Sequence, residues 1–268
     1  MIFRRRVLAL ALSAVLGFGG ACASEKPRPS TAGAVETTTT QAAPTGNLTV
    51  LAAASLSESF KELGTAFEGL HPGAKVTFSF DASSALATQA NNGAPADMFA
   101  SADQTNMKKV TDAGNASGPR TFARNRLAIL VQKGNPKGIA QLADFTRSDV
   151  IYVLCALTVP CGNYGKQALD KAGVTRAPAS YEANVKGVVT KVTTGQADAG
   201  IVYVTDAKAA AANANDVDIP DNLNVIASYP VAVLKQASHP DVAWALVDYL
   251  LSPQGQAILA KYGFLPLA

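Results

Sequence analysis

Twice within its first hundred residues the chain runs an apolar strand into a serine that opens a helix. LTVLAAAS ends at Ser55, and KVTFSFDAS ends at Ser83. A strand that feeds a helix, which feeds the next strand, is the repeating unit of a parallel sheet, because parallel neighbours need a crossover connection. A helix start also leaves backbone N–H groups without intrahelical partners and carries partial positive charge. Two serine hydroxyls at two such starts, facing one gap, would form a socket of hydrogen-bond donors around an anion.

From Asn47 onward, short apolar runs alternate with helical periods, which argues for an α/β architecture with a mainly parallel sheet. Strands are expected at 48–53, 75–80, 97–101, 126–132, 149–155, 199–204 and 229–234. Helices are expected from Ser55 to the Pro72-Gly73 turn and at 84–91, 103–113, 163–172, 184–194, 240–251 and 253–261. NRLAILVQKG (125–134) has the character of a long strand that leaves one folding unit and enters another, and SYPVAVLKQ (228–236) could make the return. Two crossings imply two lobes with a cleft between them: residues 47–124 with 230–268 in the first, and 125–229 in the second.

The first 21 residues have a basic head at Arg4, Arg5 and Arg6, an apolar middle and small residues before Cys22, the pattern of a secretory signal too short to span a membrane. Small residues ahead of a cysteine resemble the lipobox of bacterial lipoproteins, so Cys22 is the expected lipidation site. Residues 22–46, rich in Thr, Ala and Pro, read as a flexible tether that would hold the folded part at the outer face of the cytoplasmic membrane. The formal charge of +3 is accounted for by the three leader arginines. With no basic cluster interleaved with aromatics, nucleic-acid binding is excluded. Export implies an oxidising compartment, where Cys155 and Cys161 are expected to bridge; the ring they close would contribute about 2 kcal/mol in the chain-entropy model. Two buried free thiols are the alternative, and zinc is disfavoured because no histidine lies near them.

The stretches TVLAAASL (49–56), FDASSALATQ (80–89), GAPADMFASAD (93–103), VPCGNYGKQAL (159–169), ANVKGVV (183–189) and GIVYVTDA (200–207) resemble the ModA family of molybdate-binding proteins of ABC-type importers. The resemblance extends to the closing LSPQGQAILAKYGF (251–264). It implies a two-lobed periplasmic-binding-protein fold of type II, joined by two crossing strands, with a tetrahedral oxyanion in the cleft. It also implies a monomeric receptor, not an enzyme, that needs no cofactor and hands molybdate or tungstate to a permease driven by a cytoplasmic ATPase. Carried onto this sequence, the oxyanion-binding groups are the hydroxyls of Ser55 and Ser83, the backbone N–H groups of Cys161 and Val185, and the phenol of Tyr203. Neutral donors suit a dianion whose oxygens are all acceptors. About six charge-assisted bonds of roughly 1.5–3 kcal/mol each offset the entropy of binding and leave nanomolar affinity, about −12 kcal/mol.

Two departures from the family stand out: Cys161 replaces a common alanine, and Asp81 stands where a small neutral residue is usual. Asp81 is expected to cap or turn the strand end outward. Facing the cleft, it would repel a dianion but could accept the proton of hydrogen phosphate. Asp97 is expected to end a turn, Asp103 to cap a helix, and Asp206 to cap the helix after Tyr203. The bland reading of either serine is a simple N-cap. The rival functions are a sulfate or phosphate receptor, an exported hydrolase using Ser55 or Ser83, for which no G-x-S-x-G elbow is present, and an extracytoplasmic scaffold.

Overall fold

The computed structural model describes residues 44–267. The leader, Cys22 and the tether up to residue 43 lie outside the described residues. Ten strands form two five-stranded sheets. The first contains β1 (Gly46–Ala53), β2 (Ala74–Asp81), β3 (Met98–Ala100), β4 (Arg120–Asn125) and β10 (Ala227–Val233), in the order β2-β1-β3-β10-β4. The second contains β5 (Leu127–Gln132), β6 (Tyr152–Cys155), β7 (Ser180–Glu182), β8 (Ala199–Tyr203) and β9 (Ala214–Asp218), in the order β7-β6-β8-β5-β9. Both orders follow one plan. β1 pairs parallel with β2 and β3, as β6 does with β7 and β8, while β10 and β5 run against both their neighbours.

Helices supply the crossovers the parallel strands require. They are α1 (Ser57–Leu70), α2 (Ser83–Asn91) and α3 (Gln104–Asp112) around the first sheet, and α4 (Pro160–Lys171), α5 (Val185–Thr193) and α6 (Val204–Ala209) around the second. After β10 the chain returns as α7 (Pro240–Leu251) and α8 (Pro253–Lys261). On α1 the apolar stripe Phe60, Leu63 and Phe67 is buried, with the Phe60 ring 5.7 Å from Phe78 and 5.6 Å from Phe122. Removing three such side chains from water contributes about 6 kcal/mol, which fixes the helix over the sheet end that carries Ser55.

The crossings differ from the expected continuous strands. β4 ends at Asn125 and β5 begins at Leu127, so the first crossing pivots on Arg126 alone. β10 lies wholly in the first sheet, and residues 219–226 make the return. A turn opens at Pro220, and the Asn224 side chain then stands in for a strand partner: its Oδ1 accepts from Leu127 N at 2.9 Å and its Nδ2 donates to Leu127 O at 2.9 Å. Arg126 donates to Ile219 O at 2.9 Å. The two crossing segments are thereby stitched side by side.

Asp206 does not cap α6, whose N-cap position is taken by Tyr203. It lies inside the first turn with its side chain fully buried, 3.0 Å from Lys186 Nζ. Burial pushes its carboxyl up from the usual carboxylate value, against the pull of Lys186. The folded chain therefore holds a proton that the unfolded chain has released, and this contribution to stability falls as pH climbs from about 3.8 through the raised value. Asp206→Asn is expected to remove that decline. Melting curves of both proteins between about pH 4 and 7 check it, and an identical slope in the two would count against it.

Candidate functional site

The ends of β1 and β2 in the first sheet, and the helix starts that follow β6, β7 and β8 in the second, converge on one small cavity. This is where open α/β sheets place their ligands, beyond the carboxyl ends of the strands. Ser55, Ser83, Cys161, Val185 and Tyr203 all line it. The cavity volume is about 20 Å³, far below the roughly 300–1,000 Å³ typical of pockets for organic ligands.

Neither serine is spent on capping. Ser55 sits in a one-turn 3₁₀ segment, Ala54–Leu56, between β1 and α1, and the N-cap position of α1 is Leu56. Ser83 is the first residue of α2, behind Ala82 at the N-cap. The hydroxyl oxygens are instead bound from behind. Ser83 Oγ accepts from Ala102 N at 2.9 Å, and Ser55 Oγ lies 2.9 Å from the Tyr229 hydroxyl. Asn125 Nδ2 donates to Thr205 Oγ1 at 2.9 Å and to the Tyr229 oxygen at 3.5 Å. Either hydroxyl of the Ser55–Tyr229 pair can donate, and with Tyr229 donating, the Ser55 proton is left for the cavity.

Cys161 follows Pro160 in the first turn of α4, and Val185 opens α5. Such positions have no carbonyl four residues back, so their N–H groups are available to a ligand. The α5 N-cap Asn184 accepts from Lys186 N at 3.1 Å and Gly187 N at 3.3 Å, which leaves Val185 N as the free donor of that turn. The expected disulfide is present: Cys155 at the end of β6 is joined to Cys161, with Cα atoms 5.7 Å apart. It ties the α4 start to the strand that precedes it.

Tyr203 ends β8, 1 % exposed, and its hydroxyl is buried without a partner among the described residues. Burial drives its phenol well above the ordinary tyrosine value, and Tyr229, Tyr164, Asp206 and Asp103 add to the shift. The group therefore stays a protonated donor. Among the described residues no lysine, arginine or histidine lines the cavity, and the one charged lining residue is Asp81. Asp81 is not turned away. Its Oδ1 accepts from Ala82 N at 2.7 Å and from Asn184 Nδ2 at 3.0 Å.

Of the other acidic residues, Asp103 caps α3 by accepting from Asn106 N at 2.8 Å. Asp97 does more than end a turn: it accepts from Thr49 N and Ser238 N, both at 2.7 Å, and so pins β1 to the segment after β10. Tyr229 and Asn125 were not singled out from sequence. Tyr229 sits in an apolar strand before Pro230, and nothing local distinguishes it from a core aromatic.

The bacterial extracellular solute-binding protein family model matches residues 48–265. The molybdate-binding protein ModA of Mycobacterium tuberculosis is 42% identical over 245 residues, 91% of each chain. Among solved structures, the periplasmic molybdate-binding protein of Azotobacter vinelandii superposes with a TM-score of 0.74 at 21% identity, over 82% of this chain and 100% of that one. The sulfate-binding protein SubI of Mycobacterium tuberculosis gives 0.75 at 18%, over 82% and 87%. At these identities the two structures speak to the fold alone.

Proposed function

Because the chain belongs to the bacterial extracellular solute-binding proteins, and among them to the ModA family, we propose that it captures molybdate, and tungstate with it, outside the cytoplasmic membrane and delivers the ion to an ABC importer. In this reading Ser55, Ser83, Cys161, Val185 and Tyr203 hold the oxyanion, and the lobes 47–124 with 230–268 and 125–229 close over it. Cys22 carries the lipid anchor, residues 22–46 are the tether, and the receptor works as a monomer that presents its closed form to the permease.

The observation that carries the reading is the Tyr203 hydroxyl: among the described residues it is a buried donor without a partner, facing a cavity lined by no cationic side chain. A buried donor left alone costs about 1–3 kcal/mol, so its retention calls for an acceptor brought from outside. Every oxygen of a fully ionised tetrahedral dianion is such an acceptor. Two serine protons and two helix-start N–H groups spread the compensation over neutral dipoles.

Calorimetric titration of the purified chain with molybdate, tungstate, sulfate and phosphate tests the proposal. Molybdate and tungstate are expected to bind below micromolar and to displace each other. An absence of heat with molybdate, or displacement by equimolar sulfate or phosphate, would overturn it. Tyr203→Phe gives a second arm. It is expected to weaken molybdate binding by about 1.5–3 kcal/mol, roughly 10- to 150-fold, while leaving the melting temperature of the ion-free protein unchanged or slightly raised. A drop in that melting temperature would mean that the hydroxyl serves the fold.

A further inference from the structure

Asp81 ends β2 in the first sheet, and Asn184 precedes α5 beside the second. Their side chains meet across the cavity, with Asn184 Nδ2 3.0 Å from Asp81 Oδ1. We propose that this contact is a latch between the lobes, and that Asn184 is a positioning residue that couples lobe closure to the aim of the Val185 N–H. The inference rests on the oxyanion reading above and goes beyond it by assigning a role to the one charge that reading leaves unexplained.

The two ends of the Asn184 amide serve different lobes. Its oxygen accepts from Lys186 N and Gly187 N and so holds the first turn of its own helix. Its nitrogen reaches the carboxylate opposite. Both neighbours dictate the same amide orientation, since the oxygen must face donors and the nitrogen an acceptor. With the second and third N–H groups of α5 taken by the cap, Val185 N is left to point into the cavity. Asp81 therefore acts on the ion through Asn184, by fixing the amide that fixes the helix start.

A carboxylate beside a dianion site is unfavourable unless its charge is used. Here Oδ1 is met by two donors, one from the adjacent Ala82 N and one from the facing lobe. A hydrogen bond to an ionised acceptor is roughly twice as strong as a neutral one. Because the partners are 103 residues apart and sit on opposite sides of the cavity, the bond exists only when the lobes meet. It stabilises the closed state selectively, and so slows ion release more than it speeds capture.

The test is a double-mutant cycle on ion dissociation, followed by stopped-flow exchange of bound molybdate, or of sulfate should the wild type bind sulfate instead. Asp81→Ala removes the acceptor, and Asn184→Ser keeps an N-cap oxygen while removing the amide donor. Each is expected to raise the dissociation rate by about tenfold with little change in association, and the double variant to match either single one. Asp81→Asn, which retains a carbonyl acceptor without the charge, is expected to recover part of the slow release, to about threefold above wild type. Additive effects in the cycle would overturn the latch, as would tighter binding in both Asp81 variants, the signature of simple repulsion. A wild type that binds sulfate and not molybdate would sink the molybdate reading and leave the cycle to decide the latch separately.

Discussion

Gly162→Ala is expected to lower the stability of the chain by about 3 kcal/mol or more, a loss of roughly 6–12 °C in melting temperature, and to weaken oxyanion binding in whatever remains folded. A Cβ at this position would stand 2.0 Å from Ala156 O and 2.5 Å from both Ala156 C and Cys155 O. These are backbone atoms and cannot swing aside as a side-chain tip can. Ala156 is held by its own N–H on Glu182 O at 2.8 Å, and its carbonyl accepts from Val159 N at 3.0 Å. The Cys155–Cys161 bridge closes the same short ring and ties both of its ends. The remaining way to relieve the clash is to move the start of α4, which carries Cys161 N away from the cavity. Thermal unfolding with molybdate titration of the same sample checks both halves. A melting temperature within about 2 °C of wild type would show that the ring yields more easily than its bonds imply.

That ring also shows what kind of feature a sequence makes legible. Cys155 and Cys161 are six residues apart, and their pairing follows from proximity and compartment. The start of α5 at Val185 falls within one residue of the expected 184, whereas α4 begins at Pro160, three residues before the expected 163, because the VPCG turn carries no hydrophobic period to mark it. The motifs around Ser55, Ser83 and Tyr203 are contiguous strings of a few residues. The partners that give those groups their direction are not. Tyr229 lies 174 residues from Ser55, and Asp81 lies 103 from Asn184, distances at which local pattern carries no information.

Three of the four edge strands escape a sequence reading for a different reason. In β4, β7 and β9, RTFARN, SYE and ANDVD present too few apolar side chains to register as strands, whereas the fourth edge, β2, is legible through the alternation of KVTFSF. Charged and polar edges discourage pairing with other chains, so the pattern that protects the sheet also hides it from a reading based on hydrophobic runs. The crossing segment 219–226 was displaced onto β10 because Asn224 supplies side-chain hydrogen bonds where a strand would have used its backbone.

Ser83→Ala is expected to have the largest effect on binding of any single side-chain truncation in the cavity, a loss of about 3 kcal/mol or roughly 150-fold in molybdate affinity. The reason is that one hydroxyl faces two ways. Its proton is free for the ion, while its oxygen accepts from Ala102 N at 2.9 Å in a setting where Ser83 is only 1 % exposed. Alanine removes the donor to the ion and strands the Ala102 N–H without a partner, so the loop that follows β3 must shift or remain unsatisfied. The second consequence is a fall in ion-free stability of about 1–2 kcal/mol. Ser55→Ala should be milder on both counts, because the Tyr229 hydroxyl it abandons can rotate its proton toward another acceptor, whereas the Ala102 backbone N–H is fixed in direction. Calorimetric dissociation constants and denaturant midpoints for the two variants decide the matter. Equal losses in affinity and no loss of ion-free stability in Ser83→Ala would mean that Ala102 N finds water, and that the two serines act as interchangeable donors.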